Sequence, residues 1–252
     1  MTGVVLQCDG LSRAFGGLQA VSDVRLEVAP CSIHAVIGTN GAGKSTLLSL
    51  LAGEIRADQG VVRLDGRDIS RFAQPYRARA GLGRTYQRNT LFEGLTVGEN
   101  IRLAAQALEQ EPWTVLRPAS ACDSTNRRRE AAARKAGLLH EQGRLAGALS
   151  HGQKRQLEVA MCLAHEPRVL LLDEPLAGMG LEESVRMLDL LLDLKRDHAI
   201  VLVEHDMSAV FKVADQITVM VNGQVIASGA PERIRTDAAV IAAYLGEEHA
   251  AC

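Results

Sequence analysis

The sequence predicts an α/β fold with a mainly parallel sheet, an N-terminal antiparallel β layer and a helical subdomain. Three observations carry this. Ile33-His34-Ala35-Val36-Ile37 is a buried-type strand that leads straight into a glycine-rich loop. After it comes Lys44 to Ala52, a helix carrying Leu47, Leu48, Leu50 and Leu51 that stops at Gly53. From Val169 onward, apolar strand-like runs alternate with helical segments, the pattern of a parallel sheet covered by helices. Between these regions, from about Glu93 to Gly147, Ala, Arg, Gln and Glu dominate at helical spacing.

Near the start, Val4 to Cys8, Val21 to Val28 and Gly60 to Leu64 are short β-rich runs bounded by Gly, Asp and Pro, which reads as the antiparallel layer. In the middle stretch, Pro112 and Pro118 bracket an irregular connection that holds the only tryptophan, Trp113. The later strands are Val169 to Leu172, Ala199 to Val203 and Gln216 to Val221. Leu181 to Lys195 is expected to be a helix with Val185, Leu188, Leu191 and Leu192 on one face. Pro231 to Gly246 reads as one or two small closing helices, and no internal repeat or low-complexity tract interrupts the order.

With 252 residues, 47% of them hydrophobic, the chain has enough apolar surface for one large domain with a real core, which excludes disorder as its main state. A formal charge of -2 gives no basic field for polyanions, so general nucleic-acid binding is not supported. Arg127-Arg128-Arg129 is the local exception, and Glu130, Arg134 and Lys135 continue it as a solvated helix face. Five widely spaced cysteines, Cys8, Cys31, Cys122, Cys162 and Cys252, form no CxxC pair and suit a reducing compartment. Met1 to Cys8 carries no basic leader, and no apolar run approaches the ~20 residues that cross a bilayer. The expectation is a cytosolic chain that meets a membrane only through a partner.

Gly38-Thr39-Asn40-Gly41-Ala42-Gly43-Lys44-Ser45 fits the pattern G-x-x-x-x-G-K-[ST] in full. Successive backbone N–H groups turn inward around phosphate oxygens in such a loop, and Gly38, Gly41 and Gly43 leave them room. Lys44 is expected to reach the β and γ phosphates as a point charge and Ser45 to offer its hydroxyl to Mg²⁺. Thr46 stands at the start of a helix whose positive end faces the anion. The strand before the loop and the helix after it separate this unit from a chance glycine turn. Asp173 closes the run Val169-Leu170-Leu171-Leu172, which puts its carboxylate at the C-terminal edge of a central strand, where it would hold Mg²⁺ through water. Glu174, one residue on, points elsewhere, toward the place of a hydrolytic water. The competing reading of this pair is an acidic strand end that caps the next helix.

Leu149-Ser150-His151-Gly152-Gln153 resembles the signature Leu-Ser-Gly-Gly-Gln of the ATP-binding-cassette ATPases, departing from it at His151. Ser150 is a good N-cap with Gln153 three residues on, so Ser150 to Ala164 is expected to be a helix with a capping box and a positive N-terminus that binds anions. The resemblance, which covers nearly the entire chain, implies that Ser150 and the N–H of Gly152, with Gln153 beside them, meet the γ-phosphate of ATP held by a second copy's phosphate loop. It also implies a P-loop NTPase core in a single ATPase domain. Residues 1–92 and 160–252 would form the β layer and nucleotide-binding core, 93–159 the helical signature subdomain, and 228–252 a short helical tail. Phe15, in Arg13-Ala14-Phe15-Gly16-Gly17, resembles the aromatic that stacks on adenine; an aromatic in an apolar layer also reads as core. Gln87, in Arg84-Thr85-Tyr86-Gln87, occupies the glutamine-loop position, which implies contact with Mg²⁺ and the attacking water and sensing of a transmembrane partner. His205, in Val203-Glu204-His205-Asp206, matches the switch histidine that donates to the γ-phosphate, and a buried structural histidine is the alternative.

A second departure is Gly180. After Glu174-Pro175 the family's loop closes with an aspartate and bridges the two copies, whereas here Ala177-Gly178-Met179 is followed by glycine. Within the family, Phe15-Gly16-Gly17-Leu18, Leu91-Phe92-Glu93-Gly94-Leu95-Thr96-Val97, Glu204-His205-Asp206-Met207 and Ala243-Tyr244-Leu245-Gly246 are similar to the ATPases of branched-chain amino acid importers and their urea and amide relatives. The resemblance implies an ATPase that clamps two ATP·Mg²⁺ with an identical or paralogous second copy. It would drive integral membrane permease subunits, served indirectly by a solute-binding protein, from the inner face of the cell membrane. The alternative is a soluble cassette ATPase of a cofactor-assembly complex. A guanine-reading Asn-Lys-x-Asp motif is absent from the sequence, which speaks against a GTPase.

Overall fold

The computed structural model describes residues 3–86, 91–107 and 123–248. The expected connection around Pro112, Trp113 and Pro118 lies outside the described residues, as does Gln87. The chain opens with β1 (Leu6–Phe15), β2 (Leu18–Val28), β3 (Ile33–Gly38), α1 (Lys44–Ala52), β4 (Gln59–Leu64) and β5 (Arg67–Asp68). Next come α2 (Gln74–Arg79), β6 (Leu82–Arg84), α3 (Val97–Gln106), α4 (Asp123–Lys135) and α5 (His151–Leu163). The remainder is β7 (Val169–Asp173), α6 (Leu181–Leu194), β8 (Ala199–Val203), α7 (Met207–Val213), β9 (Gln216–Val221), β10 (Gln224–Gly229), α8 (Pro231–Arg235) and α9 (Ala238–Glu248).

The strands make two sheets. One is antiparallel in the order β2-β1-β4-β5; the other has the order β10-β9-β3-β8-β7-β6 and is parallel except for β10. Every residue of β3, β7 and β8 is buried, and strand alternation sends their side chains to opposite faces, with Ala35 and Ile37 of β3 packing against Val210, Ile217 and Ile234. Ile33, Leu170, Leu172, Ile200 and Leu202 pack with Ile101 of α3, Ala133 of α4, Leu157 of α5 and Leu191 of α6. Val36, Val169, Leu171, Val201 and Val203 pack with Leu47 and Leu51 of α1 and with Leu6 and Val24 of the antiparallel sheet. Each fully buried Leu or Val contributes roughly 1.5–3 kcal/mol, so burial on both faces fixes these strands at the centre.

Two expectations change at this level. β1 runs through Phe15 instead of stopping near Cys8, because its pairing with β2 shifts register after Cys8, Leu11 and Arg13 and Gly10 adopts φ 64. Such bulges destroy the alternation that marks a strand in sequence. On α6 the buried face is Met187, Leu188, Leu190, Leu191 and Leu194, whereas Val185 and Leu192 are exposed. That helix carries more apolar residues than one stripe can hold, so spacing alone does not choose the face. β6 and β10 extend the sheet by strands the sequence pattern did not show, and the helical tail starts at Pro231 because β10 continues to Gly229. On α4, Arg127 is exposed, Arg128 pairs with Glu166 at 3.4 Å and Arg134 pairs with Glu130 at 3.0 Å, as a solvated face does. Among the described residues no helix is long and apolar enough to cross a membrane.

His34 is the polar member of β3. Its Nδ1 lies 3.0 Å from the Glu27 carbonyl and its Nε2 2.8 Å from Thr218 Oγ1, which is 2.9 Å from Ser228 Oγ. A carbonyl only accepts, so Nδ1 carries the hydrogen and Nε2 accepts from the threonine. Burial pushes the imidazole down from its ordinary 6.5 to about 4, with the Glu27 carbonyl opposing the shift. The unfolded chain therefore binds the extra proton first on acidification, and stability supplied by the neutral ring is lost as pH falls from 6.5 towards 4. Denaturant melts at pH 7 and pH 4 are expected to show the native protein losing about 3 kcal/mol more than His34→Gln, which cannot titrate. An equal loss in both would place the acid sensitivity elsewhere.

Candidate active site

The C-terminal ends of β3, β7 and β8 lie abreast, because Val36 and Asp173 both pair with Val203. This is the edge of an open α/β sheet where ligands bind. At the end of β3, Gly38 comes so close to the Met220 carbonyl that a Cβ would collide with it, and Gly43, at φ 95, stands equally close to the Ala20 carbonyl. The Gly223 N–H donates to Ala42 O at 3.1 Å and Ser22 N–H donates to Gly223 O at 2.8 Å, so β2 and the β9–β10 turn hold the loop from outside. α1 begins at Lys44 with Gly43 as its N-cap and no side-chain cap, which leaves its first N–H groups to face an anion. Lys44 is 8% exposed and its Nζ donates to the carbonyls of Gly38 at 2.7 Å and Thr39 at 2.8 Å, so the ammonium is already inside the loop. Thr39, Asn40, Gly41 and Ala42 make the turn between β3 and α1, with the Ala42 N–H donating to Thr39 O at 3.2 Å, and Thr46 is the third residue of α1.

Asp173 ends β7 with its carboxylate 3.4 Å from the Ser45 hydroxyl that donates to it. The residue is 3% exposed, and burial pushes its carboxyl up while Arg84, 3.7 Å away, pulls it down. A hydroxyl and a carboxylate are the hard oxygen donors that Mg²⁺ prefers, and a cation beside them would offset the cost of burying Asp173; the pair fits that ion. Arg84 is itself held by Glu54 at 2.7 Å and Ser49 at 3.1 Å, which ties β6 to α1 behind the site. The described chain past Arg84 ends at Tyr86, so Gln87 has no assigned place.

Glu174 has φ 49, a left-handed conformation that costs a non-glycine residue on the order of 1 kcal/mol, and its N–H donates to Val203 O at 2.9 Å. The left-handed turn comes directly after Asp173, the last residue of β7. His205 follows β8 in the same region and its side chain is 62% exposed, which rules out the buried structural histidine. Between the two lies Glu204, which sequence reasoning passed over. Its side chain is fully buried, Oε1 accepts the Leu176 N–H at 2.8 Å and Oε2 accepts the His205 N–H at 3.2 Å. One carboxylate thus clamps the loops carrying Glu174 and His205; burial pushes its carboxyl up, against those two N–H groups.

The tip of α5 matches the expected capping box: Ser150 accepts from the Gln153 N–H, and the Gln153 side chain accepts from the Ser150 N–H at 3.1 Å. Ser150 Oγ also donates to Glu183 Oε1 at 2.8 Å, and the Gly152 N–H reaches the same oxygen at 3.3 Å. A carboxylate of the chain itself therefore occupies this helix end, where the positive end of the helix favours an anion, and the Ser150 hydroxyl above all holds it below the usual range. The cleft here is lined by Ser150, Gly152, Gln153, Gln156, Glu183 and Arg186, and no described residue of the phosphate loop borders it. Phe15 is 45% exposed at the end of β1, so it is not a core aromatic; it sits at the hairpin whose Ala20 touches Gly43.

A family model described as ABC transporter matches residues 21–177. The chain belongs to the ABC transporter family. A second model, described as branched-chain amino acid ATP-binding cassette transporter, matches residues 224–250. The high-affinity branched-chain amino acid transport ATP-binding protein BraF of Pseudomonas aeruginosa is 38% identical, with 98% of this chain and 100% of that protein covered. LivG of Escherichia coli, of the same description, is 37% identical over the same shares. The lipopolysaccharide export system ATP-binding protein LptB of Haemophilus influenzae is 32% identical over 97% of this chain and 98% of its own. Among solved structures, the ADP conformation of an ATP-binding cassette superposes with a TM-score of 0.88 at 27% identity, covering 97% of this chain and 100% of that one. A nucleotide-free cassette gives 0.86 at 27% identity, covering 96% and 98%. This ABC protein is accordingly an ATPase coupled to transport, with the fold of the P-loop NTPases.

Replacing Glu204 by Gln keeps the shape but sets an amide N–H₂ against one of two backbone N–H groups. An unpaired buried donor costs about 2 kcal/mol. Denaturant unfolding of Glu204→Gln is expected to show a loss of that size, and an unchanged midpoint would remove the clamp.

Proposed function

We propose that two copies of this ABC ATPase, or one copy and a close paralogue, clamp two ATP molecules between the phosphate loop of one and the α5 tip of the other. The observation that carries this reading is the tip itself: an anion-ready helix end, filled by Glu183, that opens into a cleft with no described phosphate-loop residue on its rim. A helix end that can take an anion, in a cleft that none of its own described phosphate loop borders, fits a phosphate brought by a second chain. Exposed Leu181 and Val185, at the start of α6 beside that cleft, supply apolar surface for the contact.

In the closed pocket the chain's residues act by position and charge. Lys44 exchanges its two loop carbonyls for the β and γ phosphate oxygens and offsets their charge. The N–H groups at the start of α1 take further phosphate oxygens, and Phe15 offers a face for adenine. The Ser45 hydroxyl, the Asp173 carboxylate through water, and Gln87 would hold Mg²⁺, which when bound would supply positive charge against the phosphates. The Glu174 carboxylate accepts a proton from the attacking water as that water's oxygen bonds to the γ-phosphorus and the β–γ bridging bond breaks. His205, exposed and tethered through Glu204, donates to a γ-phosphate oxygen. Loss of the γ-phosphate then loosens the tip and opens the clamp. Residues 1–92 and 160–252 make the core of this engine and 93–159 its helical arm.

The cargo assignment, branched-chain amino acids or related small polar solutes such as urea and amides, is supported by the descriptions of the 37–38% relatives and by the second family match over 224–250. A lipopolysaccharide exporter subunit matches at 32%, so import is favoured by the C-terminal match more than by the shared core. Integral membrane permease subunits would hold the protein on the inner face of the cell membrane. An apolar groove of about 350 Å³ offers them a seat, lined by Leu82, Tyr86, Phe92, Leu103 and Met161 among others. A solute-binding protein would deliver cargo to those subunits from the far side.

Proteoliposomes holding the ATPase with integral permease subunits of a branched-chain amino acid importer, supplied with the matching binding protein, are expected to take up labelled leucine only with ATP inside. Glu174→Gln should lower that uptake by about a hundredfold or more and remain as an ATP-dependent dimer on sizing. Uptake of urea in place of leucine would reassign the cargo, and a turnover-competent Glu174→Gln would remove Glu174 from the chemistry.

A further inference from the structure

His151, the residue at which the pentad departs from Leu-Ser-Gly-Gly-Gln, has a definite partner. Its Nε2 lies 2.9 Å from the carbonyl oxygen of Ala177. Because a carbonyl only accepts, Nε2 carries the hydrogen and donates. Gly178, at φ 75, follows; a Cβ there would stand 3.2 Å from Nε2, so ring and loop backbone meet with no side chain between them. The histidine is exposed, and one hydrogen bond in water adds little to the stability of the fold. Its effect lies in what it joins.

Ala177 is three residues past Glu174 and its N–H donates back to the Glu174 carbonyl at 3.2 Å. Leu176, between them, is fixed by Glu204, and the Met179 N–H donates to Leu176 O at 3.2 Å. The segment from Glu174 to Met179 is therefore one tight turn, gripped by Glu204 on the side of β8 and by His151 on the side of α5. Glu183 also fastens the tip to α6, but through the Ser150 hydroxyl and Gly152 N–H that a phosphate would claim. His151 uses neither group, so its bond survives when an anion displaces Glu183.

We propose that His151 is a positioning residue that ties the Glu174 turn to the α5 tip, so that docking of the tip on ATP held by a neighbouring copy also sets Glu174 in the pocket of its own chain. The proposal rests on the clamp described above. Glycine at 151 leaves the Ala177 carbonyl to water and cuts the tie. Glutamine restores a side-chain N–H donor at similar reach.

The test compares His151→Gly and His151→Gln in the full chain with ATP and Mg²⁺. For His151→Gly, kcat is expected to fall about tenfold with KM for ATP and the melting temperature unchanged, and His151→Gln should recover most of the loss. A wild-type kcat in His151→Gly, or an equal deficit in both variants, overturns the tie. A fall in ATP affinity or melting temperature that accounts for the whole effect does so as well. Each substitution is repeated in the Glu174→Gln background and sized with ATP; if Glu174→Gln alone forms no dimer, the clamp fails, whereas a dimer with unaltered kcat in His151→Gly refutes only the tie.

Discussion

Everything at the sheet edge depends on the close approach of three backbone segments around the phosphate loop. Gly38 lies against Met220 and Gly43 against Ala20, while Gly223 donates to Ala42. With side chains at those two glycines the loop would be pushed off β9 and β2, and its N–H groups would no longer share a centre. The same approach carries the antiparallel sheet into the site, since Ala20 belongs to the hairpin that ends in Phe15 and Leu18. A local requirement for bare backbone thus determines how the two sheets meet.

The charges of the site are arranged on that frame at a cost. Asp173 and Glu204 are buried carboxyls, each pushed up by desolvation, and each has something to offset it: Arg84 and the Ser45 hydroxyl for Asp173, two backbone N–H groups for Glu204. Neither arrangement suits a carboxylate kept only for stability. Asp173 stands at the phosphate loop, and Glu204 connects two loops that both carry polar side chains to the same edge. Holding them there exchanges some folding free energy for geometry.

Much of this was legible in the sequence where the chemistry demands particular residue types in a row. The phosphate loop, the Asp173–Glu174 strand end and the Ser150/Gln153 box are local patterns, and α1 runs from Lys44 to Ala52 as the spacing predicts. Features that depend on distant partners were not legible. Glu204 stands in the run quoted for His205, yet it becomes a clamp only through the Leu176 N–H, 28 residues away in sequence, which it holds together with the adjacent His205 N–H. Glu183 looks like a helical surface glutamate until α6 brings it to Ser150. His151 and the loop before Gly180 stand as two separate departures from the family pattern, and the structure puts His151 on Ala177. The buried face of α6 includes Leu188 and Leu191 as the spacing predicts, but packing, not periodicity, places Met187 and Leu194 there in place of Val185 and Leu192.

The central claim is that one chain's pocket is completed by another chain's helix tip, and the phosphate end of the nucleotide can report it. An ATP analogue with a photoreactive group on the γ-phosphate would be bound to unlabelled Glu174→Gln chains mixed with isotopically heavy Lys44→Ala chains, which lack the lysine of the loop. After illumination, label is expected on the heavy peptide that spans Ser150 to Gln153. Label confined to the light chains would contradict a shared pocket.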